Sequence, residues 1–290
     1  MANRRVLVKR RKAVLNIRKI TRTMQLIATA RFQAAFNRAV AARPYTEKLA
    51  ELVRDLARGA GEVRHPLMDA ANPDAPVAVV VVTSMRGLCG GYNANVLRAA
   101  AARIEELRAA GRKVELRVFG KKGIAFFRFQ RQPMAVEDVS IGETPRFEAV
   151  EKVANSLMDD FLAGRISGVE VAYMRFFSAG RQRPEVVALL PLATAPGAGG
   201  TEEKSVDYEY RPDPVSLLAE LLPATVRIRL FQAFLDAAVS EQIARMSAMK
   251  AATDASEEMI KTLTRKYNRA RQTHITMELL DIVGGANALA

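Results

Sequence analysis

The chain of 290 residues contains no tryptophan, a single cysteine and only two histidines. One cysteine, Cys89, excludes an internal disulfide, and the lack of a secretory apolar segment indicates a reducing compartment. The histidines, His65 and His274, are isolated in the sequence, so we expect no metal site. No apolar run approaches the roughly 18 residues that a membrane-spanning helix needs, so we expect no such helix.

Acidic residues are absent from the first part of the chain, in which Glu47 is the earliest one. Twelve lysines and arginines precede it, and the net charge of the whole chain is +13. A basic segment without compensating acids requires an acidic partner: nucleic acid, anionic lipid or an acidic protein surface. Mitochondrial transit peptides are arginine-rich too, but they are also rich in serine, which this segment lacks.

Glycine and proline are absent from two long segments, residues 1–43 and 224–283. Because these residues are the strongest helix breakers, both segments are predicted to be long helices. The second would be roughly 90 Å long, which is more than a single core can bury. It must therefore pack along a partner helix, and the other end of the chain is the natural one, so we predict a long antiparallel coiled coil of the two ends. Pro44 is predicted to bend or divide the first helix near Arg43.

Both segments carry a heptad-like seam with alternating steps of three and four residues, the pattern of a coiled coil. Alanine and polar residues interrupt it, so we expect a less cohesive pairing than in a permanent zipper. The predicted seam includes Val14, Ile17, Thr21, Met24, Ala28, Arg31 and Ala35 in the first segment and Gln242, Arg245, Met249, Ala252, Ser256, Met259 and Leu263 in the last.

The middle of the chain alternates strand-like and helix-like segments, which predicts an open, Rossmann-like α/β sheet domain inserted between the two helical ends. Residues 77–83 are apolar and mostly β-branched, as in a strand covered on both faces of a parallel sheet. The predicted strands are 77–83, 114–119, 169–177, 184–190 and an edge strand at 206–210; the predicted helices are 94–110, 120–129 and 144–162, with Pro145 at the first helical position, and residues 196–204 form a surface loop.

The glycine-rich loop Arg86–Asn93 lies between a predicted strand and a helix, the place where nucleotide folds bind phosphate. Its spacing fits neither G-x-G-x-x-G nor G-x-x-x-x-G-K-[ST], so we interpret its glycines as permitting a tight turn. Cys89 would need a neighbouring base to act as a nucleophile, and neither histidine is close in sequence. The adjacent Asp159 and Asp160 diverge on a helix. We therefore predict no catalytic residues and no cofactor.

Three blocks of sequence resemble the gamma subunit of F-type ATP synthase, and the resemblance covers essentially the whole chain. The first is RKITRTM with IATAR at residues 18–31, and the second is TSMRGLCGGYN at residues 83–93. The third is the most specific, with MKAATDA at 249–255, YNRARQ at 267–272, IT at 275–276, EL at 278–279 and IVGG at 282–285.

This resemblance implies a central rotor that couples proton or sodium flow to ATP synthesis or hydrolysis and is not itself the catalytic subunit. The coiled coil, residues 1–58 with 215–290, would stand inside a ring of alpha and beta subunits. The α/β domain, residues 75–210, would contact the epsilon subunit and the membrane c-ring. The protein would lie peripherally at the cytoplasmic face of the bacterial inner membrane.

The resemblance also implies contacts with the beta subunit. The position of Met24 corresponds to a region near an acidic lever segment of that subunit. The contacts with a second beta loop would be made by Arg271, Gln272, Thr276 and Glu278.

Two other functional classes are open from the residues themselves. A basic coiled-coil protein that binds nucleic acid would show an affinity that falls steeply with salt. Aromatic residues for base stacking are sparse in the basic segment, which disfavours single-strand binding. An enzyme that binds nucleotide through Gly87–Gly91 would show ligand protection there, and titration of the chain with ATP would release or absorb heat.

Deletion of residues 284–290 is expected to leave the fold intact, because chain ends beyond the last periodic residue seldom carry core contacts. Circular dichroism of the truncated chain should match that of the full chain. A loss of folded α/β structure in the truncated chain would contradict this prediction.

Overall fold

The computed structural model describes residues 4–59, 65–69, 72, 74–192 and 214–288. Two long helices lie at the ends of the chain, α1 (Arg4–Gly59) and α5 (Pro214–Ala288). Between them follow β1 (Val77–Val82), α2 (Tyr92–Ala109), β2 (Val114–Phe119), α3 (Lys121–Phe129), β3 (Val136–Asp138), α4 (Phe147–Leu162), β4 (Gly168–Ser178) and β5 (Arg181–Leu190). The chain divides into two compact units, one of residues 1–30 and 245–290 and one of residues 31–244.

The predicted fold class, two long terminal helices with an inserted α/β sheet, is confirmed. The strand predicted at 114–119 matches β2, while β3 was missed because it is only three residues long. α4 begins at Phe147 and not at Thr144, since Arg146 keeps an extended backbone (φ −105°) and Pro145 precedes the helix. The loop predicted at 196–204 and the strand predicted at 206–210 lie outside the described residues.

The predicted division of the first helix near Arg43 is wrong. α1 continues through Pro44 as far as Gly59. Pro44 removes one backbone donor, and it lies at an exposed position, where water can satisfy the carbonyl that loses its partner. A helix with many turns on either side can tolerate that single loss.

The sheet has the strand order β3-β2-β1-β4-β5. β1 lies at its centre and pairs in parallel with both β2 and β4, with Val77 opposite Val114 and Gly168. β5 alone is antiparallel, paired with β4. All six residues of β1 are buried, as predicted from its apolar run, because helices cover both faces of the sheet.

Two apolar clusters enclose the sheet, one on each face. α4 and α5 cover one face, with Leu157 and Phe161 of α4 packed together with Leu222 and Leu230 of α5. α2 and α3 cover the other face with side chains that include Leu97, Ile104 and Phe127. α5 therefore contributes to both units. Its first half packs in the α/β core, and its residues from 245 onward belong to the unit of residues 1–30 and 245–290.

One buried cation is held on the sheet. The Arg117 side chain of β2 donates to Glu115 at 2.7 Å and to Asp160 of α4 at 2.5 Å. Burial alone would raise the pKa of Asp160, but hydrogen bonds from Arg117 and Arg165 hold it below its ordinary value. The ion pair therefore fixes α4 on the sheet while it satisfies a charge that burial alone would penalise.

The junction of β2 and α3 depends on a glycine. Gly120 has a φ of +101°, and a Cβ placed there would lie 2.2 Å from the carbonyl oxygen of Thr83. The Thr83 hydroxyl donates to the carbonyl of Phe119 and accepts the N–H of Gly123, both at 2.9 Å. This junction therefore has room for neither a side chain nor a different backbone path.

Gly120→Ala is predicted to lower the free energy of unfolding by about 3 kcal/mol or more, because the backbone conformation and the contact are both prohibitive. Gly142→Ala is the matched control, since a Cβ there meets no atom within 4 Å and its φ lies outside the left-handed range. Urea denaturation followed by circular dichroism compares the two. Equal stability of the two variants would contradict the prediction.

Candidate partner-contact surfaces

The unit of residues 1–30 and 245–290 is an antiparallel pair of helices. The Thr253 hydroxyl donates to the Thr21 hydroxyl at 2.8 Å. Nearer the ends of the chain, the Arg11 guanidinium lies 5.4 Å from the centre of the Tyr267 ring. The contacts move toward the start of α1 as they move toward the end of α5, as the sequence predicted.

The seam of α1 has the predicted seven-residue repeat but a different intermediate position. The buried side chains of α1 in this unit are Leu7, Val14, Thr21 and Ala28. Half-buried positions follow four residues after three of them, at Arg11, Arg18 and Gln25, and Leu15 and Met24 are half-buried too.

Two predicted seam residues of α1, Ile17 and Arg31, are exposed, and Met24 is half-buried. On α5 most predicted seam residues are buried, while Met259 is 54 % exposed and Thr253, which was not predicted, is buried. The seam is thus even more polar than predicted, with an arginine or glutamine in alternate layers of α1.

A second apolar stripe of α1 explains the error. Ile17, Ile20, Met24 and Ile27 also follow steps of three and four, so periodicity alone cannot decide which stripe faces α5. Ile20 is 59 % exposed, and Lys19 and Arg22 flank it. An exposed apolar stripe with cationic borders is typical of a surface that a partner covers.

The last part of α5 forms a second exposed surface. All side chains from 271 to 284 are exposed, which includes the predicted contact residues Arg271, Gln272, Thr276 and Glu278. The Thr276 hydroxyl donates to the carbonyl of Gln272 at 3.0 Å, and Glu278 lies 3.1 Å from Nδ1 of His274. These bonds stay within the helix.

A groove of about 870 Å³ runs between this part of α5 and the start of α1. Cations outnumber acids on its walls, which include Arg4, Arg5, Lys266, Arg269, Glu278 and Asp281. The basic surface of the N-terminal segment therefore extends onto α5.

The structure does not bring all five predicted contact residues together. Met24 lies one turn from Thr21 and hence close to the level of Thr253. Arg271 is 18 residues beyond Thr253, roughly 27 Å further along the helix axis. The five residues therefore define two separate surfaces, one on α1 and one at the end of α5.

The glycine-rich loop between β1 and α2 is a packed turn in the unit of residues 31–244. Asn93 accepts the N–H of Ser84 at 3.0 Å and donates to Sγ of Cys89 at 3.1 Å. Cys89 is buried, and positive φ angles occur at Leu88 and Gly90. The polar groups of the loop are thus used to close the turn.

The carboxyl edge of the sheet, where open α/β folds bind ligands, is filled by the chain's own side chains. Phe36 of α1 packs edge-on against Phe176 near the end of β4, with ring centres 5.9 Å apart. Phe234 of α5 packs edge-on against Phe119, the last residue of β2, at 5.4 Å. Helices therefore occupy the crevice at which a nucleotide would lie.

An ion-pair cluster at the same edge could not be predicted from the sequence. Arg31 of α1 donates to Oε2 of Glu143, and Nε of Arg86 lies 2.7 Å from Oε1 of the same carboxylate. Glu143 is 112 residues from Arg31, and no motif marks the pair. Only the fold brings the three side chains together.

Two features are absent from the described residues. They contain no group of histidine, cysteine, aspartate and glutamate side chains that could hold a metal ion. Their helices include none that is long and apolar enough to cross a membrane.

Comparison with known proteins defines the class first. A family model described as ATP synthase matches residues 3–289. The ATP synthase gamma chain of Rhodopirellula baltica is 42 % identical over 100 % of this chain and 99 % of its own length. That of Leptospira biflexa is 40 % identical over the full length of both. The chain therefore belongs to the ATP synthase gamma-chain family, as the sequence predicted.

Solved structures share the fold. A chain of the Euglena gracilis mitochondrial ATP synthase, from a structure of OSCP, F1 and c-ring, has a TM-score of 0.64 at 16 % identity, and the match covers 99 % of this chain and 94 % of that one. A central-stalk chain from the Tetrahymena thermophila mitochondrial enzyme has a TM-score of 0.57 at 19 % identity, with coverage of 80 % and 99 %. At these identities the likeness concerns the fold.

Thr253→Val is predicted to cost about 1 kcal/mol of stability, because it leaves the buried Thr21 hydroxyl without its interhelical partner. The double variant Thr21→Val/Thr253→Val should recover most of that loss, since two apolar groups of similar shape then meet. Urea unfolding of the full chain measures both. Thr23→Val, an exposed threonine whose hydroxyl bonds only within α1, is the control. A double variant less stable than the single one would contradict this reasoning.

Proposed function

We propose that the chain transmits torque without catalysing a reaction itself. In this proposal residues 1–58 and 215–290 supply the coiled coil that turns inside the ring of alpha and beta subunits. Residues 75–210 supply the α/β domain that contacts the epsilon subunit and the c-ring. The observation that carries the proposal is the exposed apolar and cationic surface of a helix pair whose own seam is polar.

A polar seam limits how strongly α1 and α5 hold each other. Thr21 and Thr253 replace the large aliphatic side chains that a stable two-stranded coil places there. Ile17, Ile20 and Ile27 remain exposed on the outer stripe. Further stabilisation must come from a surrounding partner that covers this stripe, and a ring of subunits is such a partner.

The non-catalytic role is supported by the carboxyl edge of the sheet. In related α/β folds a ligand lies at this edge. Here the edge is occupied by four phenylalanines, Phe36, Phe176, Phe119 and Phe234. The polar side chains of the neighbouring loop bond to one another and to its backbone. Nucleotide chemistry would accordingly take place on the partner subunits.

The partners and the location are proposed by analogy with the relatives. The Tetrahymena structure is described as central stalk and c-ring, and the Euglena structure as OSCP, F1 and c-ring. By this likeness we assign alpha, beta and epsilon subunits and a c-ring as partners. We place the chain peripherally at the cytoplasmic face of the bacterial cell membrane, in agreement with the bacterial relatives.

We further propose that the beta subunit contacts both exposed surfaces. Met24 lies on the border of the apolar stripe, and Lys19 and Arg22 beside it would attract an acidic segment. Arg271 and Gln272 offer a fork of donors to a carboxylate-bearing loop, and Thr276 and Glu278 complete that surface. Because these side chains are exposed, a partner can reach them without unfolding the helix.

The nucleic-acid alternative is not supported by the comparisons. The family match extends from residue 3 to residue 289 and thus includes the whole basic segment. The cations of that segment are accounted for by an acidic protein partner.

Arg271→Ala/Gln272→Ala is predicted to lower the ATPase activity of a reconstituted complex with alpha and beta subunits about tenfold, since two partner contacts are removed at an exposed surface. Unfolding of the chain itself should be unchanged. Arg265→Ala, an exposed arginine on the same helix, is the control.

Three results would contradict the proposal. One is failure of the unmodified chain to assemble with alpha and beta subunits. Another is ATP hydrolysis by the isolated chain. The third is equal activity of the double variant and of the Arg265 control.

A further inference from the structure

We propose that Glu143 is a positioning residue for energy coupling, because its carboxylate holds the first α1 residue of the unit of residues 31–244 against the loops of the sheet. The proposal rests on the rotor function. It adds a residue that transmits force within the chain and not to a partner subunit.

The Glu143 carboxylate joins three parts of the unit of residues 31–244. It accepts from Arg31 of α1 through Oε2, while Arg86 of the β1–α2 loop approaches Oε1 to 2.7 Å. Glu143 itself lies just before α4. Its side chain is only 15 % exposed, so the charge is held mainly by protein groups. One carboxylate thus links a terminal helix to two connections of the sheet.

The other contacts of α1 at this level are apolar, and some of them are made by small alanine side chains. Ala35 and Ala39 pack against Leu235, Val239 and Ile243 of α5. Apolar contacts are non-directional, so a helix whose contact face is alanine can turn or slide with little loss of buried area. A charge-assisted hydrogen bond depends on both distance and angle. Together with the edge-on packing of Phe36 against Phe176, the directional Arg31–Glu143 contact therefore opposes rotation of α1 about its own axis.

The position of Arg31 along α1 strengthens the inference. Arg31 is the first residue of α1 that belongs to the α/β unit, whereas residues 4–30 belong to the helix pair. A directional contact at this residue fixes the orientation of α1 at the first residue that it contributes to the α/β unit. Arg86 restrains the same carboxylate from the side of β1, the central strand.

The sheet offers a matched control for this contact. Glu170 of β4 is 14 % exposed and accepts from Arg103 of α2 through both oxygens, at 2.7 and 2.8 Å. It equals Glu143 in charge and burial. Its partner lies on α2, so Glu170→Gln weakens the sheet without releasing α1.

The experiment uses the complete ATP synthase reconstituted in liposomes with Glu143→Gln or Glu170→Gln. Proton pumping and ATP hydrolysis are measured in the same vesicles against an established gradient. Glu143→Gln is expected to lower the ratio of pumping to hydrolysis about twofold, since the ion pairs of the carboxylate with Arg31 and Arg86, both near the surface, are lost. Glu170→Gln should leave the ratio unchanged.

Two further measurements exclude a merely structural effect. Hydrogen exchange of the amides of residues 31–36 should be roughly fivefold faster in the Glu143→Gln complex, because local opening becomes easier. Arg31→Gln should lower the coupling ratio as Glu143→Gln does, and the double variant should lower it no further, because both remove one interaction.

An unchanged ratio in Glu143→Gln overturns the proposal, and so does an equal fall in Glu170→Gln or an additive fall in the double variant. Failure of the rotor function itself has a different signature, because the unmodified chain would then not support pumping. A Glu143→Gln chain that does not assemble is replaced by Arg31→Gln, whose exposed side chain can be changed without loss of core packing.

Discussion

The helix pair depends on a seam that is too polar to hold it firmly. Thr21 and Thr253 meet where aliphatic residues would stabilise a coiled coil, and alternate layers of α1 contain Arg11, Arg18 or Gln25. A long helix with such a seam needs a second source of burial, and the exposed stripe around Ile20 provides the surface for it. The weakness of the internal seam is therefore the physical reason that the protein functions inside an assembly.

The sheet illustrates how a ligand-binding architecture can serve a mechanical purpose. From β1 the chain continues to β2 and β3 on one side, and after β3 it crosses to β4 on the other side of β1. The edge between β1 and β4 is where open α/β folds usually bind ligands. Phe36 and Phe234 fill this position from two different helices. The crevice is thereby filled by side chains of α1 and α5. In such folds this edge binds a ligand, whereas here burial at the edge stabilises the attachment of the long helices.

The sequence predicted those features that depend on local composition. The all-apolar run of β1 was sufficient to predict a buried strand. The long segments without glycine or proline were sufficient to predict the terminal helices, and the three sequence blocks were sufficient to predict the family. The seam was misplaced in part because α1 has two stripes of equal periodicity, and only the position of α5 distinguishes them. The contact of Glu143 with Arg31 could not be predicted, because it joins residues 112 positions apart with no local signal. Four of the five predicted contact residues are exposed and Met24 is half-buried, and the role of all five remains a prediction.

The cationic surface of α1 also suits a part that must move against its partner. Hydrogen bonds between two surfaces act only at short range and in fixed directions, so each would have to break at every step of rotation. Charges act over about 8 Å at physiological ionic strength and depend little on angle. The Arg18–Glu257 ion pair between the two helices is itself loose, at 3.9 Å, with side chains 38 % and 52 % exposed. In the proposed rotor, a basic helix surface can therefore attract acidic groups of a partner from many orientations without being fixed in any one. The directional contact at Glu143, by contrast, lies within the chain, where no sliding is needed.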